Sequence, residues 1–243
     1  MDYTYIGFIF ITSLCTSLGA LPVLLIKDLS HRGKDILLAF TAGIMVAAST
    51  YGLIPSALKL SNLPVLVIGI LIGTFTLMLL EVFVPHQDLE HTNQDHKQAS
   101  IFLFIIAMSL HNLPEGLSVG MSFASEYKDL GPIVSFAIGL QNVPEGFLVA
   151  LFLILQQVNR WKTLFYATLT GVVEFISGII GVYFGDAFSG VVPYGLAFSA
   201  GAMLFIVYKE LIPESHGDGN ERVSTFSFII GFITMMVLTH ILR

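Results

Sequence analysis

His111-Asn112-Leu113-Pro114-Glu115-Gly116 and Gln141-Asn142-Val143-Pro144-Glu145-Gly146 are two copies of one motif, each inside a long apolar stretch. On a helix, residues i and i+4 share a face. His111 therefore points with Glu115, and Gln141 with Glu145. Asn112 and Asn142 stand about 100° round the axis and widen the donor set. Imidazole nitrogen, carboxylate and amide oxygen suit a borderline divalent metal such as Zn²⁺, Fe²⁺ or Mn²⁺. A third carboxylate, Glu174, lies deep in a later apolar stretch, and no Lys or Arg occurs at that depth. A charge at a bilayer centre costs at least about 2.5–3.5 kcal/mol. Three carboxylates without an internal cation must be protonated or must face a bound cation. The bland alternative is a set of protonated acids serving helix packing. Pro114 and Pro144 each remove a hydrogen bond to the carbonyl four residues back. That frees the carbonyls of Leu110 and Leu140 for metal, water or a hydroxyl, and Gly116 and Gly146 permit close helix approach at the same level.

Composition says what must hold these residues. Of 243 residues, 55% are hydrophobic and 12% charged, with mean hydropathy +0.82. A soluble domain carries roughly 25% charged residues, so most of this chain faces lipid or other helices. A formal net charge of −6 argues against a nucleic-acid partner. One cysteine, Cys15, excludes an intrachain disulfide framework and a cysteine-rich metal site. The first apolar stretch has no basic n-region and no small-residue cleavage site, so it reads as a retained helix.

A spanning helix needs about 20 mostly apolar residues. Eight such spans are predicted, at 3–26, 36–59, 63–84, 99–124, 131–155, 163–185, 191–212 and 224–242. They make one all-α transmembrane domain, 1–243, with a histidine-bearing loop at 85–98. One set of loops holds eight basic residues: Lys27, Arg32, Lys34, Lys97, Arg160, Lys162, Lys209 and Arg222. The other set, with both termini, holds three: Lys59, Lys128 and Arg243. The basic excess marks the cytoplasmic side, which puts both termini outside.

The chain also carries a longer repeat. Phe40-Thr41-Ala42-Gly43-Ile44-Met45 in the second span resembles Phe198-Ser199-Ala200-Gly201-Ala202-Met203 in the seventh, and Leu53-Ile54-Pro55 matches Leu211-Ile212-Pro213 at the same offset. These spans run in opposite directions, as do those holding the His111 and Gln141 motifs. An inverted repeat of spans 1–3 and 6–8 around the fourth and fifth is a common transporter plan with substrate near the midplane. Chance similarity of small-residue packing motifs is the alternative.

Weaker signals lie at one end of the bundle. His86, His91 and His96, with Asp88, Glu90 and Asp95, read equally as a weak metal exit or sensor site and as a solvated linker. Glu210 and Glu214 share a face at the end of the seventh span, with His216 nearby. They read as an exit site or as a solvated helix end. Ser118, one turn beyond Glu115, extends the ligand set or packs against a neighbour.

With its two His-Asn-x-Pro-Glu-Gly-type motifs, the chain resembles the ZIP (Zrt-, Irt-like protein) family of metal transporters. The resemblance covers eight spans, outside termini and a histidine-bearing loop between spans three and four. It implies a centre for two metals among His111, Asn112, Glu115, Gln141, Asn142, Glu145 and Glu174, with Glu115 and Glu145 bridging. It also implies an exit site near Glu210 and Glu214, uptake into the cytoplasm across the plasma membrane, a sliding, elevator-like motion and a homodimer. Zn²⁺ is the first expectation as transported ion, with iron, manganese and cadmium behind it, and no cofactor is expected. Gln141 stands where many members have His, which bears on metal preference. Asn142 stands where some have an acid, which weakens the second metal position. The rival reading is a membrane-embedded metallohydrolase, in which the metal activates water; no His-Glu-x-x-His motif supports it. A proton-coupled carrier of an organic solute lacks a deep Lys or Arg to hold an anion.

Overall fold

Inside a bilayer the backbone has no water to bond to, so each apolar stretch must satisfy its own N–H and C=O groups as a helix. A computed structural model describes residues 4–25, 30–83, 97–217 and 219–241. Among these, eight helices are long and apolar enough to cross a membrane, and no strand occurs. They are α1 (Thr4–Leu24), α2 (His31–Leu60), α3 (Leu63–Phe83), α4 (Lys97–Phe123), α5 (Leu130–Leu155), α6 (Arg160–Ala187), α7 (Ser189–Glu214) and α8 (Glu221–Ile241). The all-α, eight-span expectation holds. His86, His91 and His96 lie outside the described residues.

The helix ends depart from the hydropathy reading where polar residues find partners. The helix of the second span begins at His31, not 36, because the Ser30 hydroxyl accepts from the Gly33 N–H at 3.1 Å. Such a cap contributes about 1 kcal/mol. It draws Lys34, read from sequence as a loop residue, into the helix together with Asp35, and both are buried. Lys34 pairs with Glu214 at 3.3 Å, and the Asn220 amide donates to Asp35 at 2.9 Å. A buried charge is tolerated when it is paired in this way.

α2 and α7 each loosen into wide π-helical turns before a proline, at Ala48–Leu53 and Val207–Leu211. The N–H of Ile54 bonds to the carbonyl of Ser49, and that of Ile212 to Val207, each five residues back. Pro55 and Pro213 follow and cannot donate, so the wider turn re-satisfies local carbonyls.

Packing divides the helices into two groups. α4 lies along α6, and α1 lies along α5 and α6. α2 lies along α8, and α3 along α7, with α2 also against α7. In the second group a Cβ on Gly43 would collide with the Phe228 backbone, and one on Gly73 with the Phe198 backbone. The groups meet where α4 faces α7 and α2 faces α5. Side chains mediate that seam: Met121 of α4 covers Gly195 of α7. Polar contacts across it include His111 with Glu210 at one end and Lys59 over the Tyr127 ring at the other, 3.8 Å from its centroid.

Candidate metal centre

All seven deep candidates are buried, Glu115, Gln141 and Asn142 fully so. α4 and α5 run unbroken through Pro114 and Pro144 and bring the motifs face to face. Gln141 Nε2 donates to Glu115 Oε1, which joins the two copies directly. The remaining oxygens are open: Glu115 Oε2, both oxygens of Glu145, Gln141 Oε1 and Asn142 Oδ1 have no hydrogen-bond partner, and neither does the amide of Asn112. Buried polar atoms are normally paired. The unpaired oxygen acceptors lie within two helical turns on α4 and α5 and form a set that a cation could satisfy.

Glu174 sits beside this set, tied to α5 and α1. Asn142 Nδ2 lies 2.7 Å and 2.8 Å from its two carboxylate oxygens and 3.1 Å from the carbonyl of Thr12. The Thr16 hydroxyl reaches Glu174 Oε2 at 3.5 Å. Two glycines allow this crowding. A Cβ on Gly116 would strike the Glu174 carbonyl and Ser177 Oγ, and one on Gly146 the Thr16 carbonyl. Sequence reasoning missed Thr12 and Thr16. Their i, i+4 spacing in an apolar span was a usable sign, since it places two hydroxyls on one face.

His111 shares its helix with Glu115, but its Nε2 lies 3.1 Å from Glu210 Oε2 on α7. Glu210 is thus drawn to the deep site, while Glu214 pairs with Lys34. His216 turns back on its own helix, with Nδ1 2.8 Å from the Ile212 carbonyl. Glu210, Glu214 and His216 therefore do not gather on a common point. The Ser118 hydroxyl donates to the Glu115 carbonyl at 2.7 Å, a bond within its own helix. Among the described residues, no three His, Cys, Asp or Glu side chains converge as one ligand cage. Any ion held here needs the amide oxygens as well, or a closing movement of the carboxylates.

A cavity of about 70 Å³ leads away from the site. His111 and Glu145 line its deep end with Thr41, Met45 and Met108, and Lys34, Glu210 and Glu214 line it where α2 begins and α7 ends. Toward the opposite end, Val119, Ser122 and Ile138 are buried. A separate cavity of about 300 Å³ lies at that opposite end, lined by Pro55, Lys59, Tyr127 and Ile133.

The profile of the family described as "ZIP Zinc transporter" matches residues 85–239. "Zinc transporter GufA" of Myxococcus xanthus is 36% identical over 235 residues, 92% of either chain. "Zinc transporter ZIPB" of Bordetella bronchiseptica is 34% identical over 243 residues, 92% of this chain and 76% of that one. "Zinc transporter ZIP11" of Xenopus tropicalis is 40% identical over 144 residues, 57% of this chain and 43% of that one. The first two are named as transporters and match 92% of this chain, which sets the hydrolase reading aside. The chain belongs to the ZIP family and is an integral membrane transporter of divalent metal ions, not an enzyme.

Proposed function

We propose that the chain takes up Zn²⁺, and less readily Fe²⁺, Mn²⁺ and Cd²⁺, through the site between α4, α5 and α6. The observation that carries this is the set of buried, unpaired oxygens on Glu115, Gln141 and Glu145 beside His111. No Lys or Arg stands among them, and a divalent ion would satisfy them all at once. The relatives' names point to zinc.

The end of the bundle with Lys34 and Glu214 is the cytoplasmic one in this proposal, with both termini outside and the plasma membrane around the chain. The cavity then opens inward, and an ion leaving Glu145 passes His111 and Glu210. Glu210 serves as an exit ligand, and the loop bearing His86, His91 and His96 receives metal beyond it. The group α1, α4, α5 and α6 carries the site as a unit and slides against α2, α3, α7 and α8. The glycine-locked backbones inside the second group and the side-chain seam between the groups support such movement. The matching π-helical turns of α2 and α7 support the inverted repeat. A homodimer completes the proposal.

The test is a competitive uptake panel of Zn²⁺, Fe²⁺, Mn²⁺, Cd²⁺, Co²⁺ and Mg²⁺ in proteoliposomes. Zn²⁺ should be taken up first and be displaced best by Cd²⁺ and Fe²⁺. Uptake dominated by Mg²⁺ would refute the assignment, since Mg²⁺ prefers all-oxygen, largely hydrated sites.

A further inference from the structure

Glu174 differs from the other two deep carboxylates in being already supplied with donors. The amide group of Asn142 has two hydrogens. One faces the Thr12 carbonyl at 3.1 Å, and the other lies between the two Glu174 oxygens at 2.7 Å and 2.8 Å. Thr16 adds its hydroxyl from α1. An N–H group set between both oxygens of a carboxylate stands where a chelated cation would stand. Glu115 and Glu145, by contrast, keep three oxygens without a hydrogen-bond partner.

Glu115 and Glu145 alone neutralise one divalent ion, and position 142, beside Glu174, holds a neutral amide donor rather than an acid. We propose, building on the transport site assigned above, that the centre of this chain holds one divalent ion among His111, Glu115, Gln141 and Glu145. Asn142 fills the second cation position by donating to Glu174. Asn142 is thus a stoichiometry-setting residue, and an acid there would add a carboxylate ligand and remove the competing donor.

The experiment measures Zn²⁺ bound per chain in the purified full-length protein. The quantity of interest is the increment removed by Glu145→Ala, which subtracts ions held on loops and surfaces. The wild-type increment should be one. In an Asn142→Asp background it should rise to two. In a Glu174→Gln background it should stay at one, which gives a second reading where Asn142→Asp fails to fold. A wild-type increment of two, an unchanged increment in Asn142→Asp, or its loss in Glu174→Gln would each overturn the one-ion proposal while leaving the site in place. A wild-type increment of zero would overturn the site itself, and this proposal with it.

Discussion

Glu145 lies at the deep end of the cavity with both carboxylate oxygens unpaired, whereas Gln141 is half engaged. Its Nε2 donates to Glu115, and its Oε1 is left open. An amide oxygen is a harder and weaker donor than an imidazole nitrogen. Gln141→His should therefore raise the Zn²⁺-to-Mn²⁺ affinity ratio, by about tenfold if the imidazole contributes about 1.4 kcal/mol of preference. Equilibrium binding of both ions at one pH checks this. A ratio that stays level or falls removes position 141 from the ligand set. Tighter Zn²⁺ binding is compatible with slower Zn²⁺ uptake, because the ion must also leave. The motifs themselves were legible, since histidine, amide and carboxylate at helical spacing in apolar spans have few other uses. The partner of His111 was not. Glu210 reaches it from α7, and spacing within α4 carries no information about a helix that arrives a hundred residues later.

At the scale of elements, close backbone approach holds the site helices in place. Gly146 meets the Thr16 carbonyl directly, while Gly7 on the same α1 has open space around its Cβ position. Gly146→Ala should lower the melting temperature of the purified protein, with overpacking costing about 1–3 kcal/mol. Gly7→Ala should leave it level or raise it slightly, because Ala is the better helix former by about 1 kcal/mol. Equal melting temperatures for the two variants would mean that α1 and α5 are not locked here. The middles of all eight helices could be read from hydropathy because the bilayer demands long apolar runs. Their ends could not. Ser30 starts α2 early, and Lys34 and Asp35 are buried only because Glu214 and Asn220 come to meet them. The π-helical turns before Pro55 and Pro213 were visible only as a repeated Leu-Ile-Pro.

At the scale of the whole molecule, the two helix groups meet at a seam, and the cavity lined by His111 and Glu145 runs along it toward Lys34 and Glu214. In a Cys15→Ser background, Met108→Cys, in the cavity and only partly buried, should react with a membrane-impermeant thiol reagent from the cytoplasmic side. Ser122→Cys, fully buried beyond the site, should resist it from either side. Labelling of Met108→Cys from outside alone would reverse the orientation. Deleting 86–96 should slow or deregulate uptake without stopping it, since a polar loop captures ions but does not form the path. Complete loss in a stably inserted deletion would contradict that. If ions cross through the Glu115 and Glu145 carboxylates, initial Zn²⁺ uptake into proteoliposomes must depend on both, and it is measured with wild type, Glu115→Ala and Glu145→Ala reconstituted at equal abundance. Both variants should insert normally and fall to the rate of protein-free vesicles. Uptake near wild type in either variant would contradict it.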